Sequence, residues 1–349
     1  MYYIIKSEIK KALYFVFPFL YYNVHMITIG FQKIKTNIFM APLSGCADLS
    51  FRLMMRMYGA QFCFFEMVDA NAILHRHAKT VRLLRLDPKD TPIAAQLLGS
   101  SASQMLDAAY QLLSYAPVSF IDINSACPVK KVIKKKSGAY LLKDIPLLEK
   151  IIQKMASTLP VPVTVKLRIG FEAITIKSII TLAKKCEAAG AGALFVHGRT
   201  RQQGYSGDIN YKGIAAIKKH VAIPVFGSGN ILSPFLAKKM FDETGCDGIL
   251  VARGAFGNPW IFKDIGRYLK TGTVPSKKNL MTKISALKKH LSYVDTYNEF
   301  RGPGKIGFMR KVAQWYLTGF PDARKLRAHV THVDDYERLV KVIESLSPR

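Results

Sequence analysis

The chain has 349 residues, 49% hydrophobic and 21% charged, a balance that excludes global disorder and leaves room for a large core. Lys and Arg number 51 against 24 Asp and Glu, a formal net charge of +27. That excess opposes compaction by self-repulsion and points to a polyanionic partner, nucleic acid before an anionic membrane, with a generally basic proteome as the bland alternative. Five cysteines at wide spacing, none as Cys-x-x-Cys, suggest neither a zinc site nor a disulfide framework and fit a reducing cytoplasm.

In chain order, residues 1–25 come first. Lys6, Lys10 and Lys11 precede an apolar stretch from Ala12 to Val24 that Pro18 interrupts. The stretch is short for a membrane span and no small-residue cleavage site follows it. Met26 opens Met26-Ile-Thr-Ile-Gly-Phe31, the natural start of a globular domain, so residues 1–25 are expected to be a mis-assigned start or a non-catalytic extension. No stable membrane association is expected.

From Ile38 onward, apolar β-rich runs alternate with helical patterns. The runs are Ile38–Ala41, Phe62–Met67, Ile93–Leu98, Phe120–Asn124, Val161–Leu167, Ala193–His197, Ile223–Phe226 and Gly248–Ala252. Ser103–Leu113, Leu147–Met155, Ile176–Ala188 and Ala237–Glu243 read as helices between them. Eight such units predict a closed (β/α)8 TIM barrel over residues 26–268. A doubly wound sheet is the runner-up, but it lacks a Gly-x-Gly-x-x-Gly turn after the first strand, where Ala41-Pro-Leu-Ser-Gly45 stands. Composition changes near Lys270. Beyond it Ile284, Leu287, Leu291, then Ile306, Met309, Val312, then Leu339, Val340, Ile343 and Leu346 recur at helical spacing, which predicts a helical domain over 269–349.

The densest chemical signal is Phe120 to Lys136. A buried-strand pattern ends at Asn124, Cys127 follows, pinned by Pro128, and then come Lys130, Lys131, Lys134, Lys135 and Lys136. A thiol at a strand exit beside a positive patch suits an enzyme acting on a polyanion; a core cysteine before a solvated turn is the plain alternative. Other polar residues recur at strand exits, where barrels of this kind place their chemistry. They are Gln96, Lys166 with Arg168, His197 with Arg199 and Arg201, Gly227-Ser-Gly-Asn230, and Ala252-Arg-Gly254. Glycines after the seventh and eighth strands let backbone N–H groups approach a phosphate, and Arg253 adds a charge-assisted contact. A phosphate-bearing cofactor is expected there, with Lys166 facing the electron-rich edge of a ring, as a flavin needs; a substrate phosphate is the competing view.

With these motifs in hand, the chain resembles the tRNA-dihydrouridine synthases, most closely their bacterial B-type branch. The carriers are Ala41-Pro-Leu-Ser-Gly45, Gln96-Leu-Leu-Gly99, Asp122-Ile-Asn-Ser-Ala-Cys-Pro-Val-Lys-Lys-Val132, Val165-Lys-Leu-Arg168, His197-Gly-Arg-Thr-Arg201 and Arg253-Gly-Ala-Phe-Gly-Asn-Pro-Trp-Ile-Phe262. The resemblance implies an FMN-containing TIM barrel, a C-terminal helical domain that helps hold tRNA, and NADPH (or NADH) as reductant. It implies FMN contacts at Ala41, Pro42, Leu43, Gln96, Lys166, His197, Ser228, Gly229, Asn230, Ala252 and Arg253. Cys127 becomes the proton donor, and Asn124 and Arg168 line the uracil pocket. Lys130, Lys131, Lys135, Arg199, Arg201, Lys305 and Arg310 are expected on the RNA side, with no metal required. The chain departs from the family's usual residues at Leu43, Ser125-Ala126, Ser228, Asn230 and Ala252, where Met, Met-Gly, Asn, Asp and Gly are usual. Three of these lie in the phosphate and ribityl turns, so a cofactor-poor tRNA-binding paralogue, or a barrel reducing a free pyrimidine, stands as the alternative.

Overall fold

A computed structural model describes residues 26–346 apart from 299 and 301, so the N-terminal extension lies outside the described residues. Its strands are β1 (Ile27–Ile29), β2 (Gln32–Ile34), β3 (Ile38–Met40), β4 (Cys63–Asp69), β5 (Ile93–Leu98), β6 (Ile121–Ser125), β7 (Val163–Arg168), β8 (Leu194–His197), β9 (Val225–Ser228) and β10 (Gly248–Val251). β3 to β10 form one sheet in the order β3-β10-β9-β8-β7-β6-β5-β4, with parallel ladders. The two ends meet where Met40 N–H donates to the Phe62 carbonyl at 2.9 Å, which closes the barrel. The expected (β/α)8 barrel is therefore present, each predicted run falling on a strand.

Local chemistry explains where the outer helices begin and end. Helix Ile176–Ala188 opens on a capping box in which the Thr175 and Ser178 side chains each satisfy the other's backbone N–H. Helix Pro234–Thr244 starts with Ser233 accepting from Leu236 N–H and Pro234 in the first turn; it stops at Gly245, whose φ of 62° is left-handed.

Side chains on a strand alternate between faces. Ile93, Ile121, Ile123, Val163, Val165, Leu194, Val196 and Val225 face outward, into the continuous core under the helices. The opposite parity fills the barrel with Phe39, Phe62, Phe64, Phe120, Phe195 and Phe226. These rings touch in series, with centroids 4.3 Å apart for Phe39–Phe62, 5.4 Å for Phe62–Phe120 and 4.7 Å for Phe195–Phe226. The β1–β2 hairpin, turning at Gly30 and Phe31, closes the N-terminal end: Ile27, Ile29 and Ile34 join the phenylalanine cluster. A Cβ on Gly30 would stand 2.9 Å from Pro162, just before β7. The sequence marks this stretch as a domain start but gives no sign of a hairpin.

Helix Ile261–Thr271 ends at Gly272, where the composition changes. Helices Leu280–Tyr297, Pro303–Tyr316, Ala323–Thr331 and Tyr336–Glu344 follow. Ile284, Leu287, Leu291, Ile306, Met309, Val312, Leu339 and Ile343 are buried as their spacing predicts, and they share one core with the barrel. The seam is aromatic: Phe51 of helix Leu49–Met57 meets Trp315 edge-on at 5.7 Å, and Trp315 stacks on Phe256 at 4.5 Å.

Candidate active site

A cavity of about 550 Å³ opens at the C-terminal ends of the strands. Its size suits a cofactor-sized ligand. All of the positions from Ala41 to Arg253 assigned above to the cofactor line it, as do Cys127, Asn124 and Arg168. The alternation that buries the phenylalanines builds this wall: two residues beyond Ala94, Phe195, Phe226 and Leu250 come Gln96, His197, Ser228 and Ala252, and four beyond Phe120 comes Asn124.

Cys127 is half-buried, and its backbone is held from both sides. Its N–H donates to Asn124 Oδ1 at 2.9 Å, and its carbonyl accepts from Ala139 N–H at 3.1 Å. Ala126 is tied by Arg168, whose Nε donates to the Ala126 carbonyl at 2.8 Å; Arg168 Nη1 donates to the carbonyls of Thr200 (2.8 Å) and Gly204 (2.9 Å). One guanidinium thus joins the Cys127 loop to the loop after β8.

Lys166 and Asp122 lie on the inward faces of the adjacent strands β7 and β6 and feel each other's charge. Burial lowers the Lys166 pKa, Arg168 adds to the effect, and Asp122 opposes it. Burial raises the Asp122 pKa against hydrogen bonds from Gln96 and Thr164 and the charge of Lys166. His197 is pushed down to about 2, by burial first and then by Lys166, Arg168, Arg199 and Arg253, so its imidazole is neutral at physiological pH. Its Nε2 is buried without a hydrogen-bond partner while the ring borders the cavity. Orphaned buried polar atoms are rare, and this one fits a ligand acceptor or donor at the β8 exit. Next to it, Gly229 has φ 124°, and a Cβ there would come 2.4 Å from Ile209 and 3.1 Å from His197, so only glycine lets the backbone run this close. Asn230 is also left-handed (φ 49°), a conformation Asn tolerates; its Oδ1 accepts from Arg199 Nη1 at 3.3 Å and Arg253 Nη2 at 3.4 Å. These features fit a phosphate-bearing flavin.

The remaining charged positions separate in space. Lys130, Lys131, Lys134, Lys135 and Lys136 are all exposed, on and after the short helix Lys130–Lys134, and Lys135 lies 3.7 Å from Asp69. Arg199 does not line the cavity: it is buried, and its guanidinium is committed to the Gly207 carbonyl at 3.0 and 2.6 Å. Arg201 stacks over Phe171 at 5.2 Å. Lys305 pairs with Asp295 at 2.7 Å, and Arg310 donates to the Thr331 carbonyl at 2.7 Å.

Three cavity features escape sequence reading. Tyr205 is exposed at the mouth with Arg253 over its ring at 4.6 Å and Arg168 at 5.9 Å; its only signal is an aromatic between two glycines. Cys46 is a second lining thiol, raised by burial, with Lys311 opposing. Glu66, pushed up to about 7 mainly by burial, accepts from Gly45 N–H, and Lys311 donates to the Gly45 carbonyl at 2.7 Å, so the rim peptide is gripped from both sides.

Comparison with known proteins agrees with this geometry. The sequence profile described as "Dihydrouridine synthase (Dus)" matches residues 39–347. The tRNA-dihydrouridine synthase B of Pseudomonas aeruginosa is 37% identical over 311 residues, covering 89% of this chain and 92% of its own. A probable tRNA-dihydrouridine synthase of Rickettsia conorii is 35% identical over 312 residues, covering 89% and 93%. Among solved structures, an old yellow enzyme homologue from Zymomonas mobilis superposes with a TM-score of 0.52 at 15% identity, over 74% of this chain and 95% of that one. Histamine dehydrogenase from Rhizobium sp. 4-9 does so with 0.56 at 12% identity, over 78% of this chain and about half (51%) of its own. These two likenesses speak to the barrel alone. The sequence match spans nearly the whole described chain and takes in the strand exits that build the cavity: the chain belongs to the dihydrouridine synthase family of flavin-dependent oxidoreductases.

Proposed function

We propose that the chain reduces uridines of tRNA to 5,6-dihydrouridine, with FMN in the cavity and NADPH (or NADH) as reductant. The observation that carries this reading is the placement of a thiol, Cys127, on the same cavity wall system as Lys166, His197 and Arg253. Ser228, Gly229, Asn230, Ala252 and Arg253 would hold the phosphate end, while Gln96, Lys166 and His197 would meet the ring. When bound, FMN supplies the hydride that C6 of uracil receives. Lys166 contributes a cation beside the reacting centre. The Cys127 thiol gives its proton to C5, and water restores it. Asn124 and Arg168 shape the pocket, and the Tyr205 ring offers a flat wall to a base lifted from the RNA stack.

Residues 269–349 are read as the domain that helps hold tRNA, with Lys130, Lys131, Lys135, Arg199, Arg201, Lys305 and Arg310 on the RNA side. Exposure of the lysine cluster supports this; Lys305, Arg310 and buried Arg199 would act chiefly by shaping that surface. Among the described residues no helix is long and apolar enough to cross a membrane, and no cluster of three or more His, Cys, Asp or Glu is placed to hold a metal. A cytoplasmic enzyme without a metal is the reading proposed.

The test starts from the absorbance spectrum of purified protein, followed by NADPH addition with and without unmodified tRNA. The Cys127→Ala variant should keep the flavin spectrum and lose dihydrouridine formation by about 10²- to 10⁴-fold, the usual worth of a general acid. Near-normal product from that variant refutes the proton-donor role. A colourless protein that cannot be reconstituted with FMN yet binds tRNA overturns the enzymatic reading.

A further inference from the structure

Thr164, Asp122, Gln96 and Asn124 form one chain of buried hydrogen bonds whose donors all point toward Asp122. Asp122 is fully buried, and its ionised carboxylate only accepts. Thr164 Oγ1 donates to its Oδ1 and Gln96 Nε2 to its Oδ2, each at 2.7 Å. With its nitrogen committed to Asp122, Gln96 turns Oε1 toward Asn124, which donates Nδ2 at 2.7 Å. Asn124 is then obliged to turn Oδ1 forward along the chain, where it accepts from Ala126 N–H at 3.0 Å and Cys127 N–H at 2.9 Å. Neither amide can flip alone. A reversed Gln96 would set oxygen against carboxylate; a reversed Asn124 would set an NH2 group against two backbone N–H groups.

The far end of this relay sits in tight surroundings. Gly138 packs so closely that a Cβ on it would stand 2.9 Å from the Cys127 carbonyl oxygen and 3.1 Å from the Cys127 Cβ. The thiol's place therefore depends on which way the Asn124 amide points.

We propose that Asp122 is a positioning residue: by fixing the orientation of the Gln96 and Asn124 amides in turn, it sets the place of the Cys127 thiol. Its effect on turnover rests on Cys127 being the proton donor; its effect on the thiol does not.

The experiment measures iodoacetamide alkylation of Cys127 against pH in the enzyme as purified, in a Cys46→Ala background that removes the other cavity thiol. Four proteins are compared: that background, Asp122→Asn, Gln96→Glu, and the double variant. Gln96→Glu sets two carboxylates face to face and should change the high-pH plateau rate by about tenfold or more, as small misplacements do. Asp122→Asn permits both relay directions and should give an intermediate change, with kcat falling and the KM for tRNA held. In the double variant the amide at 122 donates to the carboxylate at 96, which still accepts from Asn124, so the plateau should return to within about twofold of the background. Recovery in the double variant is what a plain packing role would not produce. The relay is overturned if the plateau is unchanged in all variants, if the double variant is no better than the worse single one, or if only the pH midpoint moves, which would mark Asp122 as a charge acting at a distance. Should Cys127→Ala keep its turnover while the plateau pattern holds, the relay stands and the proton-donor reading falls.

Discussion

At the N-terminal end of the barrel interior, Phe39, Phe62, Phe64, Phe120, Phe195 and Phe226 pack ring against ring, some stacked and some edge-on, under the β1–β2 hairpin. Two residues beyond Ala94, Phe120, Phe195 and Phe226, on the same inward face, stand Gln96, Asp122, His197 and Ser228, with Lys166 on the neighbouring strand. One alternation produces both ends, and they answer to different rules. The rings carry no polar atom and need only fill space. At the polar end buried donors and acceptors call for partners: Gln96, Asp122 and Asn124 meet theirs within the protein, while His197 Nε2 is left for a ligand, so the hydrogen bonds leave little freedom of arrangement. The barrel thus separates stability from chemistry along its own axis.

Mutations at the two ends sharpen or break this contrast. The largest effect is expected from Phe120→Ala, whose stacked ring makes it central to the apolar end. Urea unfolding should show a loss of about 3–5 kcal/mol, with flavin affinity of the folded protein unchanged. Weakened flavin binding at unchanged stability would mean that the two ends are not separate. Thr164→Val comes next. It removes a 2.7 Å donor from fully buried Asp122 and should cost about 1–3 kcal/mol, because the lost hydrogen bond leaves carboxylate capacity unmet. A neutral result would show that this end tolerates imperfect pairing after all. Ile29→Val, in the hairpin, should cost only about 0.5–1.5 kcal/mol in the same assay. A loss as large as that of Phe120→Ala would make the hairpin part of the core and not a cover over it.

Much of this contrast is legible before any coordinates. The strand runs are apolar and bounded by turns, so Phe120–Asn124 and Ala193–His197 declare themselves, and the polar residue closing each run marks the cavity wall. What stays hidden depends on contacts across the chain. The three-residue strands of the hairpin are too short for a periodic signal. Glu66 looks like one acidic residue in an apolar run, because its partner Gly45 and the opposing Lys311 come from distant segments. Arg199 sits in the same His-Gly-Arg-Thr-Arg motif as its neighbours, and nothing in the motif tells that its guanidinium folds back onto Gly207. Lys305 and Arg310 read as free cations until Asp295 and Thr331 are seen beside them.

The double grip on Gly45 has a consequence for how the molecule can be taken apart. Its N–H answers to a carboxylate rooted in the sheet, and its carbonyl to an ammonium rooted in helix Pro303–Tyr316. Asn298, from beyond helix Leu280–Tyr297, ties the same segment again by donating to Asp48 at 2.9 Å. A fragment ending at residue 268 would carry the whole sheet yet leave this lip of the pocket fastened on one side only. The helices beyond residue 268 and the barrel are thus built as parts of one tool, not as exchangeable modules.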